Sequence, residues 1–77
     1  HPFQVLAYLR KCGDQTILVA LNFSPLRAGF TLPAGLGGHK WTSLLSSKGP
    51  APEIVPGKKV SLRGFEADLW EMETTVQ

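Results

Sequence analysis

Six carboxylic acids are the residues most able to do chemistry: Asp14, Glu53, Glu66, Asp68, Glu71 and Glu73. Two carboxyl groups about 5 Å apart across a cleft can hydrolyse a glycosidic bond, one as acid/base and one as nucleophile. Glu66 and Asp68 are the pair whose spacing could serve. Two positions apart on a strand they share a face, with roughly 7 Å between neighbouring side chains. The same alternation is what a solvated strand face produces, and that simpler reading is preferred.

Other catalytic constellations are missing. His39 follows Gly37 and Gly38, and no motif surrounds any Ser to suggest a nucleophile–His–carboxylate relay. The Gly-rich stretch from Ala34 to Gly38 lacks the lysine and spacing of a phosphate loop. His1 and His39 are far apart, and neither has a Cys or carboxylate near it at ligand spacing, so no metal or cofactor is expected. Cys12 is the lone cysteine, which excludes an internal disulfide; it is read as an incidental thiol in a turn. Asn22, Phe23 and Ser24 spell a glycosylation sequon, but Pro25 follows and Asn22 ends a strand, so a structural role is expected.

Aromatic residues offer the remaining chemistry. Trp41, Trp70, Tyr8 and Phe30 could stack on the apolar face of a sugar ring. Trp41 is expected to fill the core beside Leu21 and Leu69. Trp70 shares a face with Glu66, Asp68 and Met72. It could cap the core, meet another domain or bind sugar.

These residues need elements to hold them. Phe3 to Arg10 alternates and carries β-favouring Phe3, Val5 and Tyr8. Cys12 to Gln15 supplies a Gly and an Asp for a reversal. Thr16 to Phe23 is apolar on both faces, which predicts a central strand covered on both sides. Short strands follow at Gly29 to Leu32, Lys40 to Leu45 and Lys59 to Leu62, with a brief pairing at Glu53 to Val55. A closing strand runs from Phe65 to Met72, and a frayed tail from Thr74 to Gln77. Pro33, the 34–38 loop, the Ser46 to Pro52 loop and the Pro56-Gly57 turn punctuate them. The pattern predicts an all-β fold: a small antiparallel β-sandwich of Greek-key type with six to eight short strands and little or no helix.

Length and charge narrow the class. A chain of 77 residues makes one small domain, spanning 1–77, with a correspondingly small core. Its eight basic residues are scattered, and a net charge of +2 gives no stripe for nucleic acid. No apolar run reaches membrane-spanning length. The start at His1, without Met or a signal segment, is expected of a domain excised from a larger protein.

The block Val5-Leu6-Ala7-Tyr8-Leu9-Arg10, then Gly13-Asp14, then Ile17 to Ser24 resembles the opening of the C-terminal β-domain of α-amylase-superfamily glucosidases. The Trp41 to Leu45 strand and the close from Gly57 to Trp70 are similar to that family too, so the resemblance covers nearly the whole chain. Arg63-Gly64-Phe65 stands where Pro-Pro-Tyr or a similar turn is common, a departure that bears on the local turn. The nearest subgroup is the oligo-1,6-glucosidase, α-glucosidase and trehalose-synthase kind. The resemblance implies a sandwich packed behind an upstream catalytic barrel that holds the catalytic carboxylates, none of whose motifs occur here.

The expected function is therefore non-catalytic: an accessory domain of a glycoside hydrolase or transglycosylase that packs on and stabilises the barrel. Leu6, Tyr8, Leu18 and Trp70 are the expected docking surface. The alternatives are a glucan-binding module that takes α-glucan oligosaccharides on Trp41 or Trp70, or the interaction domain of a non-enzymatic relative.

Overall fold

The computed structural model describes residues 4–32, 40–55 and 57–73. Among these residues six antiparallel strands form two sheets: β1 (Val5–Cys12), β2 (Gln15–Asn22), β3 (Ala28–Thr31), β4 (Trp41–Ser46), β5 (Lys59–Leu62) and β6 (Ala67–Met72). One sheet has the order β1-β2-β6-β4, and the other pairs β3 with β5. After the opening hairpin the chain alternates between the layers, and β6 returns to insert between β2 and β4. No helix occurs among the described residues.

The first hairpin sets the register of the larger sheet. Cys12 pairs with Gln15, so only Gly13 and Asp14 lie in the turn. Gly13 has φ 63° at the first central position, which a type II′ turn reserves for glycine. A two-residue loop places Tyr8 opposite Val19 and Leu6 opposite Leu21. Cross-strand partners point to the same face, so the even residues of β1 share a face with the odd residues of β2.

The core lies between the layers. Leu18, Ala20 and Trp70 of the four-stranded sheet meet Val60 and Leu62 of β5 and Leu32 just beyond β3. Val5, Phe30, Trp41, Ala51 and Ile54 pack around this cluster. β2 is one of two interior strands, in keeping with its two-sided pattern, but the smaller sheet covers only one of its faces. On the other face Val19 is buried while Ile17 and Leu21 are half-buried.

Three local expectations are corrected. Glu53 to Val55 forms no strand. The closing strand begins at Ala67 because Arg63 to Glu66 is a turn, closed by the Glu66 N–H donating to the Arg63 carbonyl at 3.1 Å. Trp41 faces inward opposite Met72, whereas Leu21 and Leu69 lie on the opposite face of the sheet. The 34–38 loop and the tail from Thr74 lie outside the described residues.

Candidate interaction surfaces and the buried carboxyl pair

The outer face of the larger sheet carries a continuous apolar band. Tyr8 pairs with Val19, Val19 with Leu69, and Leu69 with Leu45. One apolar row therefore crosses all four strands. A second row, Leu6-Leu21-Ala67, lies beside it. On the other side Arg10, Ile17, Glu71 and Thr42 form a mostly polar border. Leu6 is 47% exposed, Tyr8 43% and Leu45 58%. A continuous apolar band of this kind is uncommon on the free surface of a small domain.

The four residues expected to dock fall on opposite faces of this sheet. Leu6 and Tyr8 lie on the band. Leu18 and Trp70 face the other way, each 2% exposed in the core, and cannot present a surface. The cause is parity: the two-residue turn pairs Tyr8 with Val19, so Leu18 and Ala20 point inward. Leu21, Leu45 and Leu69 belong to the band, but only pairing between distant strands reveals it.

Trp41 and Trp70 line one open cleft of about 440 Å³. Its walls add Ile54 and Pro52, with Ser43, Glu53 and Glu73 supplying polar groups. Trp70 forms buried wall, while Trp41 is half-buried. The Trp41 Nε1–H is buried without a hydrogen-bond partner among the described residues. Of the other aromatic candidates, Phe30 packs against the core and Tyr8 lies on the outer band.

Glu66 and Asp68 occupy no solvated face. Both project inward and are 1% exposed. Arg63 makes this possible for Glu66. Its Nη2 lies 2.9 Å from Oε2 and its Nε 3.1 Å from Oε1, while its backbone N–H donates to Oε1 at 2.7 Å. Burial pushes the Glu66 carboxyl up, but the bonds from Arg63 outweigh it and hold the group at about 2. Asp68 lies between Ala20 and Ser46, and neither of its oxygens has a partner in hydrogen-bond geometry among the described residues. Burial pushes it up to about 6; the Ser46 hydroxyl lowers it in part and the Glu66 carboxylate raises it. A pair sealed this far from solvent cannot receive a sugar between its carboxyl groups.

Asn22 is structural, as expected. It is 3% exposed. Its Nδ2 donates to the Leu26 and Arg63 carbonyls at 2.9 Å each, and its Oδ1 accepts the Ser24 N–H at 2.9 Å. The side chain thus latches the exit of β2 to the turn before β6. Cys12 is exposed at the end of β1. Among the described residues no three His, Cys, Asp or Glu side chains gather as a metal site. Nor is any helix there long and apolar enough to cross a membrane. His1 and His39 lie outside the described residues.

A two-layer β-domain with an open apolar sheet face and an inaccessible carboxyl pair has the character of an accessory module. The model of the maltogenic amylase C-terminal domain matches residues 1–67. Among solved structures, trehalulose synthase MutB from Pseudomonas mesoacidophila MX-45 aligns with a TM-score of 0.71 and 28% identity. A MutB inactive double mutant in complex with isomaltulose gives the same TM-score and identity. A MutB mutant in complex with Tris gives 0.69 and 30%. In each case the alignment covers 91% of this chain and 12% of that one. No curated protein matches. The chain belongs to the maltogenic amylase C-terminal domain family, the accessory β-domain of amylase-family enzymes.

Proposed function

We propose that residues 1–77 form the C-terminal accessory domain of an α-glucan-active glycoside hydrolase or transglycosylase, and that the domain packs on and stabilises the catalytic barrel. The observation that carries this reading is the apolar row Tyr8-Val19-Leu69-Leu45, left uncovered by the domain's own second layer. Burying a large apolar side chain contributes about 1.5–3 kcal/mol, so a few such residues suffice to couple two domains. The similarity to MutB, a trehalulose synthase, supports a parent that acts on glucosyl groups.

The test compares Tyr8→Lys with Leu45→Lys in the 77-residue chain and in the parent enzyme. Both side chains are exposed in the chain alone, so its own stability should change by no more than about 0.5 kcal/mol. The parent should lose several degrees of thermal midpoint. An unchanged parent would count against docking through this face.

A second reading is supported by one observation: Trp41 and Trp70, far apart in sequence, line the same cleft. Under it the domain takes α-glucan oligosaccharides there, with sugar resting on the exposed part of Trp41 and its hydroxyls on Glu53 and Glu73. Titration with maltooligosaccharides should shift the Trp41 indole resonance saturably. A dispersed spectrum that stays still at millimolar sugar would remove this reading.

A further inference from the structure

The outer face of the smaller sheet carries charge of one sign. Val60 and Leu62 fill the core, so Lys59 and Ser61 of β5 point away from it. Arg27 lies just before β3, and its Nη1 donates to the Ser61 hydroxyl at 3.3 Å. Lys59 pairs with Thr31, yet its side chain leans across Gly29. A β-carbon added to Gly29 would lie 2.8 Å from Lys59 Cε and 2.6 Å from the Val60 carbonyl oxygen. Glycine at this position leaves the room that the lysine stem occupies.

The two cations line one open cleft of about 400 Å³, whose walls include Gln4, Val5, Gly29 and Phe30. Val5 and Phe30 pack against the core, which fixes the floor. The Phe23 N–H donates to the Gln4 carbonyl at 2.8 Å and fixes that wall. All six carboxylates of the side chains lie elsewhere. Asp14 is in the hairpin turn, Glu66 and Asp68 are buried, Glu71 accepts from Gln15, and Glu53 and Glu73 line the tryptophan cleft. Among the described residues neither Arg27 nor Lys59 has a carboxylate partner. The tryptophan cleft is therefore acidic, and this one is purely cationic.

We propose that this cleft is a phosphate site, in which Arg27 and Lys59 bind the dianion of inorganic phosphate or of a small phosphate monoester. A guanidinium presents a planar fork to two phosphate oxygens, and an ammonium adds a compact point charge. Two cations balance a dianion, whereas a carboxylate would leave one of them uncompensated. The Gln4 side-chain amide supplies a further donor. The volume falls within the range of small-molecule sites, so there is space beyond the phosphate for an esterified group. The cationic face lies across the domain from the apolar band, and the proposal does not depend on docking through that band.

The test is a titration of the isotope-labelled 77-residue chain at pH ~7.5, where a phosphate monoester is dianionic. The probes are inorganic phosphate and glucose 6-phosphate, with glucose and sodium chloride of matched ionic strength as controls. The expected result is saturable shifts of the Arg27 guanidinium and the Gly29 amide with both phosphates, half-complete below about 5 mM, and none with either control. Tighter binding of glucose 6-phosphate assigns the site to a monoester, and equal binding assigns it to free phosphate. Arg27→Gln and Lys59→Gln, both at exposed positions, should each weaken binding more than about tenfold while the rest of the spectrum stays in place. An absence of saturation at tens of millimolar phosphate overturns the proposal. So do shifts that sodium chloride reproduces, which would be screening alone, or an affinity that both folded variants retain.

Discussion

Gly64 packs so tightly against Pro25 that a β-carbon added to it would lie 2.2 Å from the Pro25 carbonyl oxygen. The neighbouring Phe65 N–H donates to the Ser24 carbonyl at 2.9 Å, so the two loops are pinned together and neither can yield without losing a bond. Gly64→Ala should therefore cost about 1–3 kcal/mol, as overpacking against a fixed partner does. Urea unfolding of the variant checks this; an unchanged midpoint would show that the loops separate freely.

Asn22 fastens the same corner from the other side. Asn22→Ala leaves the Leu26 and Arg63 carbonyls and the Ser24 N–H without their side-chain partner. A buried polar group left unsatisfied costs about 1–3 kcal/mol, so a loss of roughly 2–4 kcal/mol is expected. Chemical denaturation gives the value, and a loss under about 0.5 kcal/mol would mean that water replaces the latch.

Asp68 and Glu66 should shape stability against pH in opposite directions. Glu66 is held at about 2 against an ordinary 4.5, so its stabilisation is full above 4.5 and is lost as pH falls toward 2. Asp68 is raised to about 6 from an ordinary 3.8, so its contribution is full below 3.8 and is lost as pH rises through 6. The thermal midpoint should peak between these limits, near pH ~4–5, and fall toward neutrality. Asp68→Asn should remove the fall and raise the midpoint at pH 7. A wild-type profile without a decline between pH 4 and 7 would contradict the assignment.

Phe65 occupies the left-handed region, with φ 54°, while its ring is 60% exposed. A non-glycine residue there costs about 1–2 kcal/mol, and little packing offsets it. Asn tolerates this backbone better, so Phe65→Asn should stabilise the isolated chain by roughly 0.5–1 kcal/mol. A loss of stability instead would show that the exposed ring packs more than its area suggests.

The layered fold and most strand boundaries were legible because alternation and turn residues act locally. β5, for example, begins and ends where its sequence predicts. The faces were harder. The Cys12 to Gln15 reversal was visible, but which residues of β2 face outward followed only on counting Gly13 and Asp14 as the whole turn. Glu66 and Asp68 misled for a different reason. Alternation assigns polar side chains to solvent, and here an arginine three residues upstream lets one carboxylate turn inward. The row from Tyr8 to Leu45 rests on three strand pairings, two of them between strands far apart in the chain. Nothing local announces it.

The two indoles have an optical consequence. Both tryptophans of the chain line the cleft beside the core, one sealed and one half-covered. Intrinsic emission therefore reports on the seam between the layers, without a label and without background from another tryptophan. Opening that seam should move the emission to longer wavelength. With Trp41→Phe, the remaining signal comes from Trp70 alone, so separation of the sheets can be followed apart from events at the cleft mouth.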